Sequence, residues 1–323
     1  MIYTEHAAHL KRVTGRDRRY SKFASLAVVH RHTHKRKKYA TIKFDHTNLA
    51  PGVEGLRFNP SIIASGDGYL YCWRTGWAGS HIYAIRLDSQ FQPYGEAKLL
   101  PMAFKASRWG REDPRWFRLN GHLHIMFIGV VGKNGPTNVC FARIHEETLT
   151  VEDMFHPKVP GRQEWEKNHA YFDVGGIAHS VYTIAPHRIM RVEGRKAEFV
   201  YETPTRVQWT GGRICGGASP VLHNDQWYHF FHGSTEWNGR RQYNMGCYTF
   251  ENKPPYRILR FTQEPIDVAG PASEHDHTCD VLFPGGAVLV NGQWCIAQGI
   301  HDRWSELRFY DYDMVEEMLG DIQ

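Results

Sequence analysis

The sequence has few cysteines and no long apolar run. The first shortage argues against a disulfide-rich protein, and the second argues against a membrane-spanning helix. Six cysteines are scattered through 323 residues without Cys-x-x-Cys spacing, so we expect reduced core thiols rather than a disulfide framework. No window approaches the roughly 18 uninterrupted apolar residues of a membrane span. The first residues show no apolar segment behind a basic one, which leads us to expect a cytoplasmic protein.

Positive charge is concentrated in the first forty residues, at 11–12, 16–19 and 35–38. Such a cluster can bind nucleic acid or a nucleotide phosphate. No aromatic residues are interleaved with it in the way of a nucleic-acid platform. We therefore favour a solvated strand or an arm that faces a partner, and do not expect nucleic-acid binding.

Two histidine clusters are candidate metal sites. His30, His32 and His34 would lie on one face of a strand, and three imidazoles can hold zinc. Nothing nearby offers groups that would orient these rings. The same holds for His275 and His277, so we predict no metal site.

A short apolar strand that opens on a polar or small residue recurs five times along the chain. Taking residues 60, 114, 169, 220 and 284 as equivalent points, the intervals are 54, 55, 51 and 64 residues. Each strand is followed by a turn and a strongly aromatic strand, such as 69–73 or 227–231. A repeat of this length with several short strands is typical of a propeller blade. The sequence therefore predicts an all-β, five-bladed propeller with four strands in each blade.

The two ends of the chain are assigned separately. Residues 1–45 are predicted to form a basic N-terminal extension, whose segment 37–44 alternates as a strand and closes the propeller. Residues 46–323 then form the catalytic propeller. The segment 310–319 predicts a short C-terminal helix, because it has an apolar stripe at Met314, Val315, Met318 and Leu319.

The segment Arg111–Arg115, with the sequence Arg-Glu-Asp-Pro-Arg, is the strongest candidate for chemistry. Strand alternation would place Arg111, Asp113 and Arg115 on one face and Glu112 on the other. A carboxylate between two guanidinium groups is ionised unless burial raises its pKa. Asp113 is thus either a catalytic acid or one member of an ion pair between blades, and the pattern alone leaves both open.

This motif resembles the most characteristic motif of glycoside hydrolase family 130, the mannoside phosphorylases. Further segments resemble family motifs in the same order across residues 57–302: Asn59-Pro60, Cys72-Trp73-Arg74, Lys167-Asn168-His169, Cys215–Pro220, Phe231-His232-Gly233 and Gln298–Asp302. Three matches depart from the family pattern. His169 stands in place of Trp, Gln298 in place of Tyr, and Ala218-Ser219 in place of Gly-Pro.

The resemblance implies a five-bladed propeller that acts on β-mannosides with inversion, without metal or cofactor and with inorganic phosphate as co-substrate. It implies that Asp113 is the catalytic acid, passing its proton through a hydroxyl of the bound mannose. Asn59, Arg74 and Asp302 would hold the mannose, and Lys167, Asn168 and His232 would lie near the phosphate. The expected partners are a mannose-containing oligosaccharide or mannose 1-phosphate, and homo-oligomerisation is left open.

The choice between phosphorolysis and hydrolysis depends on the charges near Asp113. An inverting hydrolase needs a second carboxylate as base, whereas phosphate needs cations or other donors. The matched positions offer Lys167 and His232, with Arg111, Arg143 and Arg213 as further candidates. No second carboxylate stands out, although Asp173, Asp280 and Glu236 remain candidates. This balance favours phosphate chemistry.

Two alternatives stay open. Glycosyltransferase family 108 resembles the same propeller and builds β-mannosides from an activated donor, so the basic arm would contact a nucleotide diphosphate. A propeller that binds glycans without turnover is the other, with Asp113 kept only for its ion pair. In either case Trp77, Trp109, Trp209 and Trp237 are candidates for stacking on sugars.

Overall fold

The computed structural model describes residues 40–44, 55–76, 79–133, 135–237, 240–270 and 279–322. The histidine clusters, the basic runs and Trp77 lie outside these residues, as does the side chain of Trp237. The described chain is almost entirely β-structure, with one short helix.

Three antiparallel sheets follow one another along the chain, and each contains four strands in chain order. Sheet I consists of β2 (Arg57–Ser65), β3 (Gly68–Thr75), β4 (Ile82–Leu87) and β5 (Pro93–Leu100). Sheet II consists of β6 (Gly110–Leu119), β7 (His122–Val130), β8 (Thr137–His145) and β9 (Thr150–Phe155). Sheet III consists of β10 (Ala170–Val174), β11 (Ile177–Thr183), β12 (His187–Glu193) and β13 (Lys196–Thr203).

Sheet IV is larger and irregular, with eight strands built around a long hairpin. The hairpin joins β16 (Gln226–Trp237) to β17 (Arg240–Glu251). The shorter strands beside it are β14 (Arg213–Cys215), β15 (Val221–His223), β18 (Ile258–Thr262), β19 (Asp267–Val268), β20 (Cys279–Asp280) and β24 (Leu319–Asp321). Among the described strands of this sheet, β20 alone runs parallel to its neighbour, β17.

Sheet V brings the two ends of the chain together. It contains β21 (Leu282–Val290), β22 (Gln293–Ile300), β23 (Trp304–Asp311) and, as its outermost strand, β1 (Thr41–Lys43). β1 pairs antiparallel with β23, and Thr41 lies opposite Arg308. An N-terminal strand thus completes the last sheet. The predicted domain boundary at residue 45 stays a prediction.

Among the described residues the core consists of five hydrophobic clusters, and each lies between two neighbouring sheets. Strand β3 shows why the sequence is aromatic there, since it is buried on both faces. Leu70 and Cys72 point into the cluster shared with sheet II. Tyr71 and Trp73 point into the cluster shared with sheet V. The sheets are therefore arranged like the blades of a propeller.

The prediction of five four-stranded blades is wrong in its count. Four sheets are four-stranded blades, whereas sheet IV has eight strands. The physical reason is that the strand beside β16 is interrupted between β14 and β15. In addition, short strands pair with the other side of β17. The interval of 64 residues between positions 220 and 284 reflects these additional strands.

The C-terminal helix α1 covers Tyr312–Met318, within the predicted segment. Its buried residues, Met314 and Val315, belong to the cluster between sheets IV and V. Its seven residues are far fewer than a membrane span requires, and no helix of the described residues is long and apolar enough for that role. Four of the six cysteines, Cys72, Cys140, Cys247 and Cys295, are buried thiols in the sheets as expected, whereas Cys215 and Cys279 are half-buried.

Candidate active site

β-Bulges near the start of the inner strands β2 and β6 set the direction of the polar side chains there. Strand β2 has a register shift between Phe58 and Ser61, and β6 has one between Glu112 and Arg115. In both bulges the residue before the proline has a positive φ, 49° at Asn59 and 48° at Asp113. Asn and Asp tolerate this left-handed conformation better than most residues. The bulges therefore explain why a polar residue precedes each proline.

Asn59, Arg74 and Asp113 come together between sheets I and II. Asn59 donates from Nδ2 to Oδ1 of Asp113 at 2.8 Å. Arg74 donates from Nη1 to the same oxygen at 3.3 Å. The guanidinium of Arg74 also lies over the ring of Phe58, 4.7 Å from its centre. An added Cβ at Gly299 would come within 2.2 Å of Oδ1 of Asn59, so this glycine leaves room for the asparagine.

The predicted alternation within Arg111–Arg115 is wrong. Arg74 contacts Asp113 and also donates from Nη2 to Oε1 of Glu112 at 2.9 Å, so both carboxylates reach one guanidinium. The bulge after Glu112 breaks the period-two alternation of the strand. Arg111 instead donates to the carbonyl of Ser107 and lies 2.5 Å from Nδ1 of His81. The ion pair of Asp113 between sheets is therefore with Arg74.

The three carboxyl groups of this region titrate differently. Burial alone would raise the pKa of Asp113, but Arg74, the Asn59 hydrogen bond, Arg115 and Lys167 together lower it. Burial raises the pKa of Glu112, and the charge of Asp113 adds to this effect. Burial, followed by the charge of Asp113, raises the pKa of Asp302 to about 7. Near neutral pH a proton in this cluster is therefore held by Asp302 more readily than by Asp113.

Asp302 lies in the turn between β22 and β23, where both His301 and Asp302 have positive φ, 53° and 54°. Two hydrogen bonds between His301 and Val281 hold this turn in place. His301 donates its backbone N–H to the carbonyl of Val281, and Val281 donates its N–H to Nδ1 of His301. This clamp places the carboxyl group where it interacts with Asp113 and Glu112.

Arg115 is a buried cation that sequence reasoning did not assign to the site. Its side chain is fully buried, and Nη1 donates to the carbonyl of His169 at 2.9 Å. Nε and Nη2 have no hydrogen-bond partner among the described residues. Its guanidinium lies 5.3 Å from the ring centre of Phe283, and burial lowers its pKa to about 10. A buried charged group whose donors lack partners lowers the stability of the folded protein. The position of Arg115 within the Arg111–Arg115 motif is the sequence feature that could have identified it as a site residue.

The predicted phosphate residues differ in character. Lys167 is exposed, and its charge influences Asp113, Glu112 and Asp302. Asn168, two residues before β10, has a positive φ of 64°. His232 is buried, and burial followed by the charge of Arg115 lowers its pKa to about 3. His232 is therefore neutral near pH 7, so it can offer a hydrogen bond but not a positive charge.

Several candidate charges lie elsewhere. Arg143 pairs with Glu152 across the outer strands of sheet II. Asp173 accepts backbone N–H groups of Asn120 and Gly176 at the opposite end of β10. Asp280 pairs with Arg240 at 2.6 Å, and Glu236 is an exposed partner of Arg241. Arg213 is exposed on β14. The carboxyl groups that interact with Asp113 are instead those of Glu112 and Asp302.

At the three departures from the family motifs, His169, Gln298 and Ala218 are buried and Ser219 is half-buried. Nε2 of His169 lies 2.9 Å from Oε2 of Glu166. Gln298 donates to the hydroxyl of Tyr310 at 2.8 Å in the core. Ala218 is fully buried in the cluster between sheets IV and V. Trp209, a candidate for sugar stacking, instead packs edge to face on Phe231 with ring centres 4.9 Å apart.

Comparison with known proteins relies on the fold, because no family model matches the sequence and no curated protein is similar to it. A β-1,2-mannobiose phosphorylase from Listeria innocua, solved with β-1,2-mannobiose, superposes with a TM-score of 0.61 at 16% identity. The alignment covers 86% of this chain and 98% of that chain. The chain has the fold of the GH130 mannoside phosphorylases.

Two further solved structures support the GH130 fold. A mannose phosphorylase from Leishmania mexicana, in complex with phosphate ion, has a TM-score of 0.59 at 14% identity and covers 93% of this chain and 98% of its own. The other structure comes from the GH130 family of mannoside phosphorylases, which contains glycoside hydrolases that target β-1,2 mannosidic linkages in Candida mannan. It has a TM-score of 0.60 at 12% identity. It covers 86% of this chain and 95% of its own. The predicted resemblance is confirmed at the level of the fold.

Proposed function

We propose that the protein is an inverting β-mannoside phosphorylase that releases or uses mannose 1-phosphate. The observation that carries the proposal is the buried Arg115, whose Nε and Nη2 lack partners among the described residues. Its charge acts on both Asp113 and His232. A phosphate dianion entering this region would supply the acceptors that these donors need. An acid and an anion site would then lie side by side.

Asp113 serves as the acid in this proposal, and sugar binding prepares it. In the empty site Asn59 and Arg74 donate to its carboxylate and lower its pKa. If these two residues hold the mannose, their donors turn towards sugar hydroxyls. Asp113 then loses two interactions that favour its ionised form, so its pKa rises. The proton is passed through a mannose hydroxyl to the glycosidic oxygen, and phosphate attacks the anomeric carbon from the opposite side.

Phosphate is held by Arg115 and Lys167 as cations, with Asn168 and neutral His232 as hydrogen-bond partners. Sheet IV takes the position of the fifth blade in this account, and Asp302 contacts the mannose. The reaction needs no metal or organic cofactor, and phosphate is the co-substrate. The glycosyltransferase and glycan-binding alternatives, and the cytoplasmic location, stay predictions.

Hydrolysis is the second candidate, because the pKa of Asp302 is raised to about 7. A carboxylate with a pKa near the working pH is suited to act as a general base. Asp302 would then activate water in place of phosphate, and the product would be free mannose. The GH130 fold is shared with proteins described as phosphorylases and as hydrolases, so the products decide between the two.

The proposal is tested by the variant Lys167→Ala, with Lys196→Ala as the control. Both lysines are exposed, but Lys196 lies on the outer strand β13, where it pairs with Glu198. Losing a charge-assisted contact costs on the order of 1.5–3 kcal/mol. We expect Lys167→Ala to raise KM for phosphate roughly ten- to hundredfold, with little change in KM for the sugar. Activity of the parent protein that does not depend on phosphate would refute the proposal.

A further inference from the structure

Glu166 and His169 form a buried pair that spans Lys167 and Asn168, two of the residues proposed to hold phosphate. Nε2 of His169 lies 2.9 Å from Oε2 of Glu166, and both side chains are buried. Residues 166–169 belong to no strand and lead directly into β10. Because no strand pairing holds this segment, contacts of its side chains determine the path of its backbone.

The Glu166 end of the segment is anchored by further hydrogen bonds. Oε1 of Glu166 accepts from the backbone N–H of Gln163 at 2.6 Å and from the hydroxyl of Tyr182 at 3.2 Å. Thr137 donates from Oγ1 to the carbonyl of Glu166 at 2.9 Å. Burial alone would raise the pKa of Glu166, but the hydrogen bond and charge of His169, followed by the bonds from Gln163 and Tyr182, lower it. Glu166 is therefore ionised near neutral pH, and both of its oxygens are engaged.

The His169 end of the segment contacts the buried cation Arg115. The carbonyl of His169 accepts from Nη1 of Arg115 at 2.9 Å, whereas Nε and Nη2 have no partner among the described residues. The position of this peptide therefore influences where the two free donors point. The neighbouring carbonyl of Asn168 packs against Gly216, where an added Cβ would lie 2.1 Å from its oxygen. Arg115, Lys167 and Asn168 thus all depend on the path of one short segment.

We propose that Glu166 and His169 are positioning residues of the phosphate site. The inference rests on the proposed function and adds to it two residues that act on phosphate affinity without touching phosphate. Their contact holds Lys167 and Asn168 in place and fixes the carbonyl that orients Arg115.

The charge of Glu166 gives a second reason for the pair. An ionised carboxylate beside an anion site repels phosphate unless a positive charge balances it. An imidazole that accepts a proton can supply that charge. His169 stands where the family motif has Trp, and an indole has no ionised form that could do the same.

The test compares His169→Phe and Glu166→Gln with the control Tyr182→Phe. Phenylalanine fills the space of an imidazole whose ring centre lies 4.7 Å from that of Tyr182, but it offers no donor to Glu166. Glutamine keeps the shape of Glu166 and removes its charge and one of its acceptor oxygens. Tyr182→Phe removes a different hydrogen bond to the same carboxylate and leaves the contact with His169 in place.

Both test variants should raise KM for phosphate roughly five- to tenfold, with KM for the mannoside and kcat at saturating phosphate within about twofold of the parent. Calorimetry with inorganic phosphate alone should show the same loss of affinity. Tyr182→Phe should leave phosphate affinity close to that of the parent. Urea unfolding establishes that each variant is folded, and Glu166→Gln, which keeps the shape of the parent, carries the test if His169→Phe does not fold.

The outcomes separate this inference from the proposed function. Parent phosphate affinity in folded Glu166→Gln and His169→Phe would overturn the inference and leave the phosphorylase intact. An equal rise of KM for phosphate and mannoside, or the same loss in Tyr182→Phe, would also overturn it, because general loosening of sheet III would then be the cause. A parent protein that neither binds inorganic phosphate nor needs it for turnover would overturn the proposed function, and the inference with it.

Discussion

Replacing Asp302 with asparagine should change how the stability of the fold depends on pH. The pKa of this carboxyl group is raised from its ordinary 3.8 to about 7, first by burial and then by the charge of Asp113. The folded state therefore keeps a proton that the unfolded chain has lost. The contribution of Asp302 to the free energy of unfolding therefore falls as pH rises from about 4 to about 7, and it is constant above pH 7.

The magnitude follows from the width of this window. One pKa unit corresponds to about 1.4 kcal/mol, so two pH units between 5 and 7 correspond to up to about 3 kcal/mol. An asparagine of similar shape has no proton to lose. We expect Asp302→Asn to gain free energy of unfolding relative to the parent by this amount between pH 5 and pH 7, with no further gain at pH 8.

The assay is urea unfolding at pH 5, 6, 7 and 8 for the parent, Asp302→Asn and Asp67→Asn. Asp67 is an exposed aspartate in the turn between β2 and β3, so its replacement controls for the loss of one carboxylate. Parallel stability curves for the parent and Asp302→Asn would refute the reasoning. So would a gain that shrinks as pH rises.

Two other variants test the site and the closure of the ring. Asp113→Asn should lower turnover about 10²–10⁴-fold, because asparagine donates no acidic proton, while circular dichroism and sugar binding stay unchanged; near-normal rates would remove Asp113 from the acid role. Phe44→Ala should lower the free energy of unfolding by roughly 1–3 kcal/mol, because its ring centre lies 4.6 Å from that of Tyr71. In the same urea experiment Lys43→Ala, whose side chain is 72% exposed, should have a small effect, and equal losses would argue against a packing role for this closing segment.

The repeated sheets could be predicted because each blade repeats one local pattern. A strand that is buried on both faces, such as β3, appears directly as an aromatic run in the sequence. The extra strands of sheet IV could not be predicted, since β19 and β20 have only two residues each and are defined by pairing with β17. Such short strands carry no periodic signal of their own.

The site was predictable as a set of residues and not as an arrangement. Asp113 and Arg74 were identified from their motifs, but a period-two rule placed Glu112 on the wrong face because one bulge reverses it. The neutral state of His232 depends on burial beneath residues distant in sequence and on the charge of Arg115. Likewise, the unused donors of Arg115 become visible only when the surrounding carbonyls and rings are known.

The account is tested most directly by identifying the product formed from β-mannobioses of different linkages with and without inorganic phosphate. Nuclear magnetic resonance distinguishes α-mannose 1-phosphate, which inversion of a β-mannoside by phosphate produces, from free mannose. We predict α-mannose 1-phosphate from at least one linkage, only when phosphate is present, and none with Asp113→Asn. Free mannose at the same rate with and without phosphate would contradict phosphorolysis and make Asp302 the candidate base of a hydrolase.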